Sequence, residues 1–526
     1  MNNDYHDTLD KSYLYIFLTI GFMILIISCI NFINISTARS SKRNREVGLR
    51  KVIGASGGQL IFQYLFEVFI VTIVALVLAN ILIELMLPIF NALSDWQVRI
   101  DYSHNLFLWI SVISILFFVT ITAGGYPAFY LSRFRPARIF RKMSTGNSKS
   151  FLRSGLVVSQ FAVAVFMLFC ALVVKKQIHY LFHKDLGFQK EGVMRILHSG
   201  TLSEARQFRN EISKNPMIRE VSLASNGPFS PGELKSYTIQ QDNQNEEYKL
   251  HTFFVDDHYI PLLDLKVKSG RNFNNDLATD TTQSVIINEA AVKKFGWQGN
   301  DPVGRTVITK IKNGKIKPLT VIGVIRNFNY EDLDQPVKPL ILLNRPNQFT
   351  MMVVKVDPTQ ISAATQFINQ TWRKDFSGHF IYYQYIQSQL KQWYETESII
   401  SQMLSFITYL TAFIACLGLL GLAAYSTLQS LKEISVRKVL GAKVGEIVVL
   451  LSMEFMQYVG LGLIIGLPLA WYAVNLWLNN FVYHANIGLT PILTVILATV
   501  IVGWLTICWQ TIRAALANPV DNLSSE

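Results

Sequence analysis

The chain has 526 residues, of which 50% are hydrophobic and only 16% charged, with a mean hydropathy of +0.29. A soluble core cannot absorb that much apolar surface, so a purely soluble enzyme is excluded. Ordinary Gly and Pro content and four Cys likewise exclude collagen-like sequence, disorder and a disulfide scaffold. The net charge of +12 would indicate nucleic acid only as a basic face on a soluble fold.

The charges instead flank apolar runs. Residues 1–12, with Asn3, Asp4, Asp7 and Asp10, lack the basic start of a signal peptide and lead directly into Tyr13–Ile35, the first predicted span. A basic loop follows, with Arg39, Lys42, Arg43, Arg45, Arg50 and Lys51 against Glu46. The second span, Leu60–Leu87, precedes a loop holding Arg99 against Asp95 and Asp101. The third, Leu106–Tyr130, precedes seven basic residues between Arg133 and Arg153 with no acid, and Gly155–Val174 is the fourth. Ile399–Tyr425, Ile447–Trp477 and Leu489–Ile512 complete seven, with Lys432, Arg437, Lys438 and Lys443 after the fifth. Every positive loop falls on one side, which predicts an outside N-terminus and an inside C-terminus. The bilayer, not nucleic acid, is the expected partner of these charges. Cys29, Cys170, Cys416 and Cys508 all lie in apolar runs and read as membrane-buried thiols.

Between the fourth and fifth spans, Lys175–Glu395 is polar and mixed in charge, and the topology places it outside. Ser284–Ile287, Leu319–Ile325, Met351–Val356 and Ile381–Tyr385 read as strands. Glu204–Lys214, Glu289–Phe295 and Gln360–Lys374 read as helices, the second with Asn288 as N-cap. The expectation is an inserted α+β domain in an α-helical multi-pass membrane protein. Without strong breakers at Lys175–Lys184 or Gln387–Glu395, each flanking span is expected to continue outward as a stalk.

A duplication is the most informative feature. Glu46-Val-Gly-Leu-Arg-Lys-Val-Ile-Gly-Ala55 returns as Glu433-Ile-Ser-Val-Arg-Lys-Val-Leu-Gly-Ala442, with six of ten positions identical. In the same register Glu67 falls on Glu454. Two copies of a three-helix unit are implied, an arrangement common in transporters. On a helix, Leu49, Val52 and Ile53 share a face, as do Val436, Val439 and Leu440. Glu46 precedes Arg50, and Glu433 precedes Arg437, by one turn in the favourable order, and Lys51 and Lys438 lie toward the negative helix end. Gly54 and Gly441 are placed to stop the helix. The reading is a short amphipathic helix on the inner membrane surface that receives force from a partner. A basic anchor would account for one copy, but an anchor needs only positive charge.

Little else carries chemistry. No G-x-x-x-x-G-K-[ST] motif is present, and Ser56-Gly-Gly-Gln59 matches part of an ATPase signature only by chance. His179 and His183 have ligand spacing on a helix but lack the intervening Glu of a metalloprotease and a third ligand, so no metal is expected. No catalytic set is found. A carboxylate at mid-bilayer costs about 2.5–3.5 kcal/mol. Glu67 and Glu454 lie about two turns into their spans, so pairing with the nearby basic loop is expected ahead of a contact that shifts during transport.

Asn31-Phe-Ile-Asn-Ile-Ser-Thr-Ala-Arg39, Glu46–Ala55 and Glu433–Ala442 resemble the FtsX-type permease domain of MacB-like ABC transporters. Val255-Asp-Asp-His-Tyr259, Ser269-Gly-Arg-Asn-Phe273, Ser284-Val-Ile-Ile-Asn-Glu-Ala-Ala291 and Val321-Ile-Gly-Val-Ile-Arg-Asn-Phe328 resemble the MacB-type periplasmic core domain. The resemblance implies permease units at 13–140 and 396–526, a linker and fourth span at 141–174, and a periplasmic core at 175–395. The family's duplicated form begins with a further span and periplasmic domain, so residues 1–12 are expected to be the remnant of that front part. It also implies a permease in the bacterial cytoplasmic membrane, driven by a separate ABC ATPase that supplies ATP and Mg, with a periplasmic adaptor or outer-membrane channel as a further partner. Glu46, Arg50, Lys51, Gly54, Glu433, Arg437, Lys438 and Gly441 are the expected coupling residues. The alternative within the family is a signalling protein that controls a periplasmic cell-wall hydrolase or an envelope-stress response.

Overall fold

The computed structural model describes residues 11–94, 98–132, 148–198, 200–241, 244–310, 316–375 and 379–516. Four helices come first: α1 (Lys11–Val52), α2 (Gly57–Ser94), α3 (Leu106–Ser132) and α4 (Ser148–His183). Then follow β1 (Val193–His198), α5 (Leu202–Ile212), β2 (Ile218–Ala224), β3 (Glu233–Gln241), β4 (Gln244–Phe254) and α6 (Tyr259–Leu262). Next are β5 (Val267–Gly270), α7 (Ala278–Thr282), β6 (Ser284–Asn288), α8 (Glu289–Lys294), β7 (Thr306–Lys310) and β8 (Ile316–Ile325). β9 (Leu340–Leu343), β10 (Met351–Val356), α9 (Ile361–Asp375), β11 (Ile381–Tyr385) and α10 (Ile386–Trp393) lead to α11 (Glu395–Val439), α12 (Val444–Leu478) and α13 (Thr490–Leu516).

The chain forms two units. One comprises Met1–Lys175, Ile399–Leu476 and Asn486–Glu526; the other comprises Lys176–Ser398 and Trp477–Ala485. In the first, seven helices among the described residues are long and apolar enough to cross a membrane. Their large apolar side chains are widely exposed, as lipid-facing surfaces require. α4 is the most enclosed, with half of its apolar window buried. Its Val157 and Phe161 join Leu419, Leu422 and Ala423 of α11, Phe455 and Val459 of α12, and Ile507 of α13 in one core. Close approach depends on glycine. A Cβ on Gly462 would meet Phe161 Cβ at 2.6 Å, and one on Gly466 would meet the Ala162 carbonyl at 2.5 Å. The wholly buried Gln160 donates to the Ile27 carbonyl at 3.3 Å, and a Cβ on Gly418 would lie 2.7 Å from Gln160 Oε1 and 3.3 Å from Asn31 Oδ1. In the repeat register Gly418 is the counterpart of Asn31, so one copy leaves room for the other's amide. All four cysteines are free; Cys29 and Cys508 are buried and the other two partly so.

The second unit contains two sheets. One is antiparallel, ordered β11-β1-β10-β2, and covered by α5 and α9 through Met194, Ile196, Phe208, Val354, Ile368 and Trp372. The other runs β5-β8-β6-β9-β4-β3-β7. Because β7 pairs with both β3 and β8, six of its strands close into a barrel with β5 on the outside. Val285, Ile287, Val307, Leu319, Val321 and Ile341 pack its core. β6 and β9 are buried along their whole length, which explains their unbroken apolar runs. Each strand and helix read from the sequence is present to within two residues at the ends, apart from β8, which starts three residues earlier. Asn288 caps α8 by accepting from the Ala291 N–H at 2.9 Å.

Two readings are corrected. α4 does continue without a break to His183, but Gln387–Glu395 is not an extension of α11. α10 ends at Trp393, Tyr394 leaves helical geometry, and α11 starts afresh at Glu395. The repeated decapeptides are not separate short helices on a surface either. They are the last turns of α1 and α11, which continue through segments 36–45 and 424–432 because neither holds Gly or Pro.

Candidate coupling site

The two decapeptides end in the same way. The Gly54 N–H donates to the Lys51 carbonyl at 3.1 Å, and the Ala55 N–H to the Arg50 carbonyl at 3.0 Å. In the second copy Gly441 donates to Lys438 at 3.1 Å and Ala442 to Arg437 at 3.0 Å. This paired pattern is a Schellman cap, and it needs a left-handed residue, which Gly54 (φ +104°) and Gly441 (φ +96°) provide. A Cβ at either position meets nothing within 4 Å, so conformation and not space demands glycine.

The next helix starts at once. The Ser56 N–H donates to Gln59 Oε1 at 3.0 Å and the Gln59 N–H to Ser56 Oγ at 3.3 Å, a reciprocal capping box for α2. That is the structural role of Ser56-Gly-Gly-Gln59. In the second copy the Lys443 N–H donates to Glu446 Oε2 at 3.2 Å, half of the same device.

Between the caps, Val47 packs with Tyr64, Val68 and Ala128, and its counterpart Ile434 with Ile447 and Leu451. The face predicted from periodicity points the other way. Leu49, Val52 and Ile53 are 65, 71 and 79% exposed, and Val436, Val439 and Leu440 are 49, 68 and 80% exposed. Six large apolar side chains therefore stand uncovered within the chain at two equivalent helix ends. Arg50 and Arg437 are exposed beside them, and Lys51 and Lys438 are half-buried. The side chains of Glu46 and Glu433, and hence their expected ion pairs, lie outside the described residues, as do residues 1–10 and most of the basic segment after α3.

Arg50 Nη1 donates to Gln63 Oε1 at 2.6 Å, and Gln63 Nε2 lies 3.5 Å from Glu67 Oε1. Glu67 is thus linked to the basic helix end through an amide that the sequence reading missed. Glu454 accepts from the Tyr458 hydroxyl at 3.4 Å. His179 and His183 stack with centroids 4.0 Å apart, and His183 Nδ1 lies 2.8 Å from the His179 carbonyl. No group of three His, Cys, Asp or Glu with metal-binding geometry occurs among the described residues.

The profile of the FtsX-like permease C-terminal family matches residues 18–136 and again 405–519, so each copy of the decapeptide lies in its own match. The MacB-like periplasmic core domain profile matches residues 155–370. The chain belongs to the MacB/FtsX-type ABC permeases. The permease is 22% identical over 299 residues to the macrolide export ATP-binding/permease protein MacB of Neisseria meningitidis, a match over 54% of this chain and 45% of that protein. The Neisseria gonorrhoeae protein of the same name is 21% identical over 294 residues, again 54% and 45%. The permease thus spans under half the length of these relatives. The periplasmic region of MacB from Actinobacillus actinomycetemcomitans aligns with 41% of the permease and 97% of that chain, at 17% identity and a TM-score of 0.30.

Proposed function

We propose that this permease takes movement from a separate ABC ATPase at its two capped helix ends and passes it to the periplasmic unit, driving extrusion or release of a substrate held outside the cytoplasmic membrane. ATP and Mg bind the ATPase and not this chain. A periplasmic adaptor or outer-membrane channel receives the substrate. The supporting observation is the uncovered apolar trio Leu49, Val52 and Ile53, repeated as Val436, Val439 and Leu440, each beside two cations and locked by a Schellman cap. Exposed apolar side chains at a helix end favour burial in a partner's groove. The neighbouring cations add orientation and association rate. A duplicated site suits a paired motor whose two halves close together.

Arg50→Glu combined with Arg437→Glu should reduce co-purification of the ATPase by about tenfold or more without altering membrane insertion. Normal co-purification of the double variant would disprove the assignment.

A further inference from the structure

We propose that Gln177 is a positioning residue, one that fastens the turn between α12 and α13 to the end of α4 and makes the two a single joint through which displacement of the second repeat enters the periplasmic unit. Only the transmission half of this statement rests on the coupling reading above.

Gln177 lies in the last two turns of α4 and has no exposed surface. Its side-chain amide grips the turn from both sides. Nε2 donates to the Tyr483 carbonyl at 2.9 Å, and Oε1 accepts from the Ala485 N–H at 2.7 Å. This is the pairing that a neighbouring strand would supply, provided here by one side chain from some 300 residues earlier. A second ring of ties surrounds it. The Tyr483 hydroxyl accepts from Asn329 Nδ2 at 3.3 Å, and Lys184, one residue beyond α4, places Nζ 4.0 Å from the Tyr483 ring centre. The Asn329 N–H donates to the Leu186 carbonyl at 2.8 Å, which returns the circuit to the chain leaving α4. Phe481 and Tyr483 both pack against the core that contains Phe188, Phe253, Tyr259 and Phe328.

The turn therefore belongs to the periplasmic unit by its packing, while covalently it is the hinge of the second repeat. Trp477, the penultimate residue of α12, stacks edge-on against Phe481 at 4.8 Å, so little slack separates the helix from the grip. A shift of α12 or α13 cannot spend itself in a loose loop; it reaches Tyr483 and, through Gln177, α4. Tyr483 and Lys184 also form part of the wall of an open cavity of about 1040 Å³ that includes Glu289, Lys293 and Trp297, so the joint adjoins that cavity.

Amide hydrogen exchange on the full chain in lipid nanodiscs tests the joint directly, because the Ala485 N–H is itself one of the two bonds. The expected result is slow exchange at Ala485 in the wild type and exchange about tenfold or more faster in Gln177→Leu, with β6 amides unchanged. Loop-like exchange at Ala485 in the wild type overturns the proposal. Should Gln177→Leu also open β6, Tyr483→Phe, which keeps the ring and the Gln177 grip, must still speed exchange at Asn329 severalfold, and no change there counts against the joint. The second arm adds Mg-ATP to the chain carrying its co-purifying ATPase. The nucleotide-dependent change in exchange around Asn329 should be present in the wild type and lost in Gln177→Leu with the ATPase still bound, which a purely structural role would not produce. A full response in the variant overturns the proposal. Failure of the wild-type chain to capture any ATPase would sink the coupling reading alone, and Ala485 exchange would still decide the joint.

Discussion

At the scale of single residues, the motif positions of the periplasmic unit turn out to be structural. Asp256, which burial pushes above the usual carboxylate range, accepts from the Ser222 hydroxyl at 2.6 Å and the Leu223 N–H at 2.8 Å. Gly270 faces Gly323 across the β5–β8 pair, and a Cβ on either would lie 2.2–2.3 Å from a carbonyl oxygen of the opposite segment. Arg271 donates to the wholly buried Asp280 from both Nη1 and Nη2, and the Asn274 N–H and Ser284 hydroxyl, each at 2.8 Å, add to it. Burial raises the Asp280 pKa, but the Arg271 bonds and the two other donors outweigh it and leave the carboxyl below its ordinary value. A carboxyl whose pKa falls on folding adds stability that is complete above its unfolded value and is lost as pH falls through the folded one. Asp280→Asn should therefore cost the periplasmic unit about 2 kcal/mol near neutral pH. The difference should begin to shrink as pH falls below about 4 and should vanish only below the depressed folded value. Tryptophan-monitored denaturation of the full chain across pH checks this, and a constant difference at every pH would contradict it.

At the scale of elements, helix packing in the membrane unit is decided by glycines that look alike in the sequence. Gly460 and Gly466 both sit inside α12, yet only Gly466 has a backbone oxygen at its Cβ position. Gly466→Ala should lower thermal stability in detergent by about 1–3 kcal/mol. Gly460→Ala, with open space and a helix-favouring residue gained, should be neutral or slightly stabilising. Equal effects in a melting assay would refute the α4–α12 contact. The same contrast marks what the sequence disclosed. The seven spans, four of the eleven described strands (β6, β8, β10 and β11) and the N-cap at Asn288 follow from composition, periodicity and local chemistry. The helix stops at Gly54 and Gly441 were legible because a Schellman cap is written within six residues. Three features were not legible because they depend on partners distant in the chain or on breaks that sequence marks weakly: the closure of the barrel by β7, the grip of Gln177 on the turn, and the kink at Tyr394. α1 outruns its apolar stretch for the opposite reason, since a basic, Ser-rich segment reads as loop although nothing in it stops a helix.

At the scale of the whole molecule, α4 is 36 residues long and spans about 54 Å at 1.5 Å per residue. The hydrocarbon core of a bilayer is about 30 Å thick, so α4 is longer than a single crossing needs. The inserted unit is fastened where the chain enters and leaves it, because its first strand β1 pairs with its last, β11, from Met194 opposite Tyr385 to His198 opposite Ile381. A chain ended after residue 375 lacks β11 and should be cut by trypsin throughout the periplasmic unit at least about tenfold faster than one ended after residue 394. Equal resistance would show that β11 is dispensable. This pairing also fixes a timetable. Synthesis delivers β1 first, yet both of its neighbours, β10 and β11, emerge more than 150 residues later, and Gln177 waits longer still for the Tyr483 carbonyl. A nascent permease therefore carries a raw sheet edge until β10 and β11 emerge, and an unmet amide at Gln177 until the second repeat has been made. A chain stopped before that repeat keeps the Gln177 amide without the Tyr483 and Ala485 backbone groups that pair it.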